Sequence, residues 1–311
     1  MYGYLKTFCE IVPSKDELLF SKGNVEISIE QVIEISKYIV KNMDSSLYTS
    51  FEHFLSKIKM IKGESIMSSA NTIYYEENIN DIYTLIHEFI HKYQQPNIYK
   101  ESNLRIFDEA NAIYSEYYVQ KILQESGILE ENGIDVSKEE KSFSTKRLYS
   151  ERYLVEMYVF FYNVNNALIE CKNNGKSLNS DYIGKYFGYF DKESVEYKSY
   201  EKFKDSVPKW TNNDINFFNE KYYLRYVHPF SYIMSLQLRE NKENIVKNAD
   251  KIRNSELSSS FNQSLIESER IASHKINDIK HLLEKENEKI EIELLKIEKN
   301  NLESRDILKK L

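Results

Sequence analysis

Two histidines and a glutamate stand together at His87-Glu88-Phe89-Ile90-His91, in the order H-E-x-x-H. On a helix, positions i and i+4 lie one turn apart on the same face, so both imidazoles can reach a single metal ion. Glu88 then projects beside that face, where a carboxylate works on a water next to the metal and does not ligate it. The chemistry this spacing points to is zinc-assisted hydrolysis. The ion lowers the pKa of a bound water and polarises a carbonyl, while Glu88 takes the water's proton as general base and passes it to the leaving amine.

A catalytic zinc of this kind needs a third protein ligand and an open position. The candidate lies between Ile106 and Glu116. Ile106, Phe107, Ala110, Ile113 and Tyr114 line an apolar face there, and Glu109, Ala112 and Glu116 share another. Glu109 is assigned as the ligand, because the small Ala110 and Ala112 let this helix come close to the histidines. Glu116 sits nearly above Glu109 two turns along, where it orients a ligand imidazole through its free N–H. The alternative for Glu116 is an exposed helix carboxylate. Asp108 is a second candidate ligand, ranked lower because it would turn the helix's apolar face away. Farther on, Tyr222 to Tyr232 concentrates a histidine and several tyrosines, which are donors suited to a developing oxyanion. In a chain with 25 tyrosines such a stretch reads first as core.

The elements that must position these groups are legible in outline. Asn80 and Asp81 are both good N-caps for a helix that carries the motif to Gln95, where Pro96 stops it. Ile82, Leu85, Ile86 and Phe89 give that helix its core face. Asn71–Tyr75 before it reads as an edge strand, to which an extended substrate backbone would pair. A second helix is predicted from Leu104 to Gln124. Phe8–Val12 and Val25–Ile29 read as short strands and Gln31–Asn42 as a helix. Glu125 to Ser150 reads as a loop or excursion, 151–175 as a helix, and 210–240 as an aromatic-rich helical stretch.

After Lys242 the apolar residues thin to Ile276, Leu283, Ile290 and Ile297, a seven-residue repeat flanked by Lys and Glu. Glu286 and Glu293 stand where a second apolar row would be expected. This tail is read either as a helix packed on its own domain or as a coiled coil that makes a homo-oligomer. Three spans follow: a mixed α+β segment over 1–66, a catalytic domain over 67–241 and a charged helical tail over 242–311. The fold class is mainly α with a small β-sheet.

Composition sets the outer bounds. At 311 residues and 41% hydrophobic, the chain can bury one substantial core plus an appendage. A net charge of −7 without a basic stripe argues against a nucleic-acid partner. No apolar run approaches membrane-spanning length and no secretory signal pattern opens the chain. Two cysteines, Cys9 and Cys171, cannot build a disulfide framework. The expectation is a cytoplasmic protein.

At the motif residues the chain resembles the oligoendopeptidase F/thimet oligopeptidase family of zinc peptidases, over roughly Ser68 to Leu236. Asn80-Asp81-Ile82-Tyr83-Thr84-Leu85-Ile86-His87-Glu88 is similar to that family's entry into its zinc helix. Phe107-Asp108-Glu109 through Glu116 is similar to its third-ligand helix, and Tyr226 to Tyr232 to its late His/Tyr segment. The resemblance implies a zincin-like catalytic domain with one zinc held by His87, His91 and Glu109, Glu88 as base, and His228 and Tyr232 as oxyanion donors. It implies a peptide or protein substrate. Ile90 stands where the family carries Gly, and the step from His91 to Glu109 is shorter than the family's. The helical half that roofs the family's channel has no counterpart here, so restriction to short peptides does not carry over. Two other readings stay open: a protease for one particular protein, or a coiled-coil interaction protein that keeps a relic zinc site.

Overall fold

The computed structural model describes residues 2–12, 26–63, 68, 69, 71–94, 104–135, 143–176, 179–205, 228, 231–254, 281, 283–286 and 288. Its helices are α1 (Tyr2–Ile11), α2 (Ile29–Met43), α3 (Tyr48–Leu55), α4 (Asn80–Gln94), α5 (Leu104–Glu125), α6 (Ile128–Glu131), α7 (Phe143–Asn173), α8 (Ser180–Phe187) and α9 (Val195–Phe203). They continue with α10 over 231–240 and α11 (Ile245–Asn254). Strands β1 (Lys59–Lys62) and β2 (Thr72–Tyr75) form a parallel pair, with Ile61 opposite Tyr74. The protein is therefore mainly helical with a small sheet, as the sequence predicts. No described helix is long and apolar enough to cross a membrane.

Helix α5 is the centre of the architecture. It packs against α2, α4, α7 and α11, and every side chain from Glu109 to Glu116 is buried. Such a helix meets other elements on all sides, which is why its polar residues end up facing protein and not water. The main core gathers Ile35 and Ile39 of α2, Phe51 of α3, Ile73 of β2, Ile82, Leu85, Ile86 and Phe89 of α4, and Val119 of α5. Phe89 ties α4 to α3 through Phe51 and Phe54, with ring centroids 4.9 and 5.6 Å away. Helix α2 begins at a capping box. Gln31 N–H donates to Ser28 Oγ (3.3 Å) and Ser28 N–H to Gln31 Oε1 (3.1 Å), which satisfies donors a helix start leaves open.

Several sequence expectations are corrected. Phe8–Val12 is not a strand, for α1 runs through it to Ile11. Leu5, Phe8, Cys9 and Val12 recur at i, i+3, i+4 and i+7 and are all buried, so the stripe is helical and the apparent strand was its C-terminal end. In Val25–Ile29, the described residues give only an isolated antiparallel bridge from Glu26 to Asn78, and α2 starts at Ile29. The stretch after Glu125 is not wholly loop. It holds the short helix α6, entered through Gly127 at φ 68°, a left-handed conformation glycine adopts without strain. Helix α7 then begins at Phe143, ahead of the predicted 151.

A second core joins distant parts of the sequence. Leu5 and Phe8 of α1, Val155 and Val159 of α7, Tyr232 and Leu236 of α10, and Leu283 pack together. Glu286 is 3% exposed, and its carboxylate receives both terminal nitrogens of Arg239, one of them at 3.0 Å. So Leu283 and Glu286 of the tail lie against α10. Ile276, Ile290 and Ile297 of the seven-residue repeat lie outside the described residues, as do Glu293 and 210–227. Cys9 and Cys171 are buried and unbridged, and burial pushes the Cys9 thiol up to about 12, which keeps it a neutral core group.

Candidate metal centre

Helix α4 forms where the sequence places it, but its start is built differently. Neither Asn80 nor Asp81 is the cap. Asn78 Oδ1 accepts from Asn80 N–H (2.8 Å), and the buried Asp81 carboxylate accepts from Asn78 N–H (2.9 Å) and Glu76 N–H (3.0 Å). Asp81 thus staples the turn leaving β2 to the first turn of α4. Between them Glu77 takes φ 60°, a backbone conformation a non-glycine residue adopts only at a cost.

Helices α4 and α5 run antiparallel through the site. His87 pairs with Glu116, while His91 and Gln94 pair with Asp108, so partners descend α5 as α4 ascends. His87 Nδ1 lies 2.7 Å from Glu116 Oε1, and His91 Nδ1 lies 2.8 Å from Asp108 Oδ2. A carboxylate only accepts, so each Nδ1 carries a proton and it is Nε2 of each ring that is left to offer a lone pair to a metal ion. The two Nε2 atoms face each other at 2.9 Å. Glu109 closes the group, with Oε1 3.5 Å from His87 Nε2 and Oε2 3.2 Å from His91 Nε2.

Two imidazole nitrogens and a carboxylate facing one point repel unless a proton or a metal ion sits among them. The ligand atoms of His87, His91 and Glu109 lie within 4.8 Å of one another, close enough to hold a metal ion. A tetrahedral ion about 2.0 Å from each imidazole would set the nitrogens about 3.3 Å apart, so a small rotation of either ring completes the fit. The electrostatics say the same. Burial opposes charge on Glu109, yet the His228, His87 and His91 imidazoles hold its carboxyl well below the usual range. Burial likewise disfavours a cation on His91, but Asp108 and Glu109 hold it well above 6.5. The site demands positive charge.

Glu88 is half-buried beside this group, and burial raises its carboxyl against the pull of His87 and His91. His228, distant in sequence, is brought in: its Nδ1 lies 3.2 Å from Glu109 Oε1. Tyr232 is buried in the second core, edge-on to Phe8 at 6.4 Å. It shares with Glu116, Arg239 and Glu286 the lining of a cavity of about 30 Å³ behind α5. Glu116 is 5% exposed and bonded to His87, so its alternative reading as an exposed helix carboxylate is overturned.

Two features escaped the sequence. Asp108, a candidate ligand by sequence, instead turns one oxygen to His91 Nδ1 and the other to Gln94 Nε2, outside the group formed by His87, His91 and Glu109. Gln94 has no signal in the sequence beyond its place three residues past His91 on the same helix face; it is fully buried and donates to Asp108. Strand β2 is also not an open edge. On the side away from β1, Thr72 exchanges main-chain hydrogen bonds with Ser69 (2.8 and 3.1 Å), and Tyr74 N–H donates to Ser68 Oγ (2.8 Å). Searches for similar proteins find no matching family model, no matching curated protein and no matching solved structure, so what the site does must be argued from its own geometry.

Proposed function

We propose that the protein is a zinc-dependent metalloendopeptidase, with His87, His91 and Glu109 as ligands and Glu88 as general base. The observation that carries this reading is the convergence of two imidazole Nε2 atoms and one carboxylate on a single point, with Glu88 next to His87 on the same helix. Two nitrogens and one carboxylate oxygen match the donor set zinc takes in catalytic sites. When bound there, zinc would supply Lewis acidity to a water and to a peptide carbonyl.

The chain's own residues do the rest. Glu116 and Asp108 fix the tautomers of His87 and His91, so that both Nε2 lone pairs stay aimed at the centre. Glu88 accepts a proton from water and returns it to the leaving amine, and burial, which strengthens its hold on a proton, suits that shuttle. His228, partly exposed with its Nδ1 3.2 Å from Glu109 Oε1, is proposed as a donor to an oxyanion forming beside the ligands. Tyr232 is proposed as a second donor on the resemblance alone.

The test is zinc stoichiometry and cleavage of a broad peptide library by wild type and Glu88→Gln. One zinc per chain in both, with cleavage by wild type alone, is the expected result. Stoichiometric zinc with no peptide cleaved by wild type would overturn the reading.

A further inference from the structure

Behind His91 runs a line of hydrogen bonds that ends on a different helix. Asp108 offers Oδ2 to His91 Nδ1 (2.8 Å), and its other oxygen accepts from Gln94 Nε2 at 2.5 Å. The same Gln94 nitrogen donates to the Asp108 main-chain carbonyl at 2.7 Å. Gln94 Oε1 in turn accepts from Asn111 Nδ2 at 2.9 Å, and that amide nitrogen also donates to the Ile245 carbonyl at 3.2 Å, at the start of α11. Gln94 and Asn111 are both fully buried.

Each link constrains the next. A side-chain amide has one accepting and one donating end, and nothing local tells a glutamine which way to point. Here Asn111 spends both of its protons on Gln94 and Ile245, so Gln94 must turn its oxygen to Asn111 and its nitrogen to Asp108. Gln94 then fixes Asp108 at two atoms, which leaves only Oδ2 for His91. The end of α4 is held from the same side, since Arg253 of α11 donates to the Tyr93 carbonyl (2.6 Å) and stacks over the Tyr93 ring.

We propose that Gln94 is a positioning residue of the metal centre: anchored by Asn111 and the first carbonyl of α11, it orients Asp108 and through it the His91 imidazole. The inference rests on the metal-centre reading above. Gln94 touches no ligand atom itself and acts only through Asp108. The motif that matters for metal affinity is therefore H-E-x-x-H-x-x-Q, with α11 as its backstop.

The pattern predicts a rescue. Gln94→Glu keeps the acceptor for Asn111 but sets a carboxylate against Asp108 and its main-chain carbonyl, whereas adding Asp108→Asn lets the new amide donate to position 94 and still accept from His91, leaving only that carbonyl without its donor. Measured on full-length, metal-free protein labelled in its histidines, the hydrogen-bonded Nδ1 proton of His91 should be visible by NMR in wild type. It should be lost in Gln94→Glu and in Gln94→Met, and recovered in Gln94→Glu/Asp108→Asn. Zinc affinity, by chelator competition, should fall about tenfold in the single variants and recover part of that loss in the double variant. A wild-type Nδ1 signal and wild-type zinc affinity in both single variants would overturn the proposal. Absence of zinc binding by wild type, with its Nδ1 proton responding to Gln94 as described, would instead sink the metallopeptidase reading and leave the positioning role standing.

Discussion

At the scale of residues, the centre separates groups that hold from groups that aim. His87, His91 and Glu109 present the converging atoms, while Glu116 and Asp108 each spend one oxygen on an Nδ1–H. Removing an aiming carboxylate leaves a ligand free to rotate or change tautomer, and such changes typically cost about 10–100-fold in metal affinity. Glu116→Ala and Asp108→Ala should each weaken zinc by that much in a chelator competition, with one zinc still bound at saturation. Glu88→Gln should do the opposite: zinc affinity within a few-fold of wild type, and cleavage reduced by about 10²–10⁴-fold. If Glu88→Gln lost zinc as His91→Ala must, Glu88 would be a ligand and the assignment of roles would be wrong.

At the scale of elements, the site depends on how α4 is clamped. Its polar face meets α5, and its apolar face meets α3 and β2. Phe89 lies on that apolar side, 1% exposed, with the rings of Phe51, Phe54 and Tyr93 about it. Truncating a buried phenylalanine costs about 3–5 kcal/mol, as lost transfer energy plus the cavity left behind. Phe89→Ala should therefore lower the urea-unfolding free energy by that amount. An unchanged midpoint would mean that α4 is held chiefly by its polar face.

At the scale of the whole molecule, segments far apart in sequence are packed as one. Leu283 is fully buried beside Leu5, Phe8 and Leu236, and Glu286 pairs with Arg239, whose guanidinium lies 4.7 Å from the centre of the Tyr117 ring. Burial works against charge on Arg239, but Glu286 raises its already high pKa further. Leaving one member of a buried ion pair alone costs about 3–5 kcal/mol, whereas replacing both by apolar groups is often neutral. Glu286→Ala should destabilise by roughly that much in chemical denaturation, and Arg239→Met/Glu286→Leu should recover most of it. Equal stability of Glu286→Ala and wild type would show that the tail does not dock in solution.

The sequence by itself determined the helix that carries His87, Glu88 and His91, the helix that carries Glu109 and Glu116, and the strand Thr72–Tyr75. These are matters of local pattern: i and i+4 share a face, i and i+7 nearly superpose, and a β-branched and aromatic run closed by polar residues marks a strand. The same rule holds at Leu5, Phe8, Cys9 and Val12, a helical stripe whose last turn taken alone resembles a strand. What only the tertiary structure decided is which acceptor each donor finds. Asp108 and Glu109 are neighbours on one helix, and the antiparallel crossing of α4 and α5 sets Asp108 against His91 Nδ1 and Glu109 against both Nε2 atoms. Gln94 matters because Asn111 and the Ile245 carbonyl lie behind it, and His228 because the chain returns it to Glu109. Leu283 and Glu286 read in sequence as parts of an imperfect repeat, and they became core because α1 and α10 provide an apolar wall with one arginine in it. Such pairings are set by packing between elements distant in the chain, and no spacing within an element encodes them.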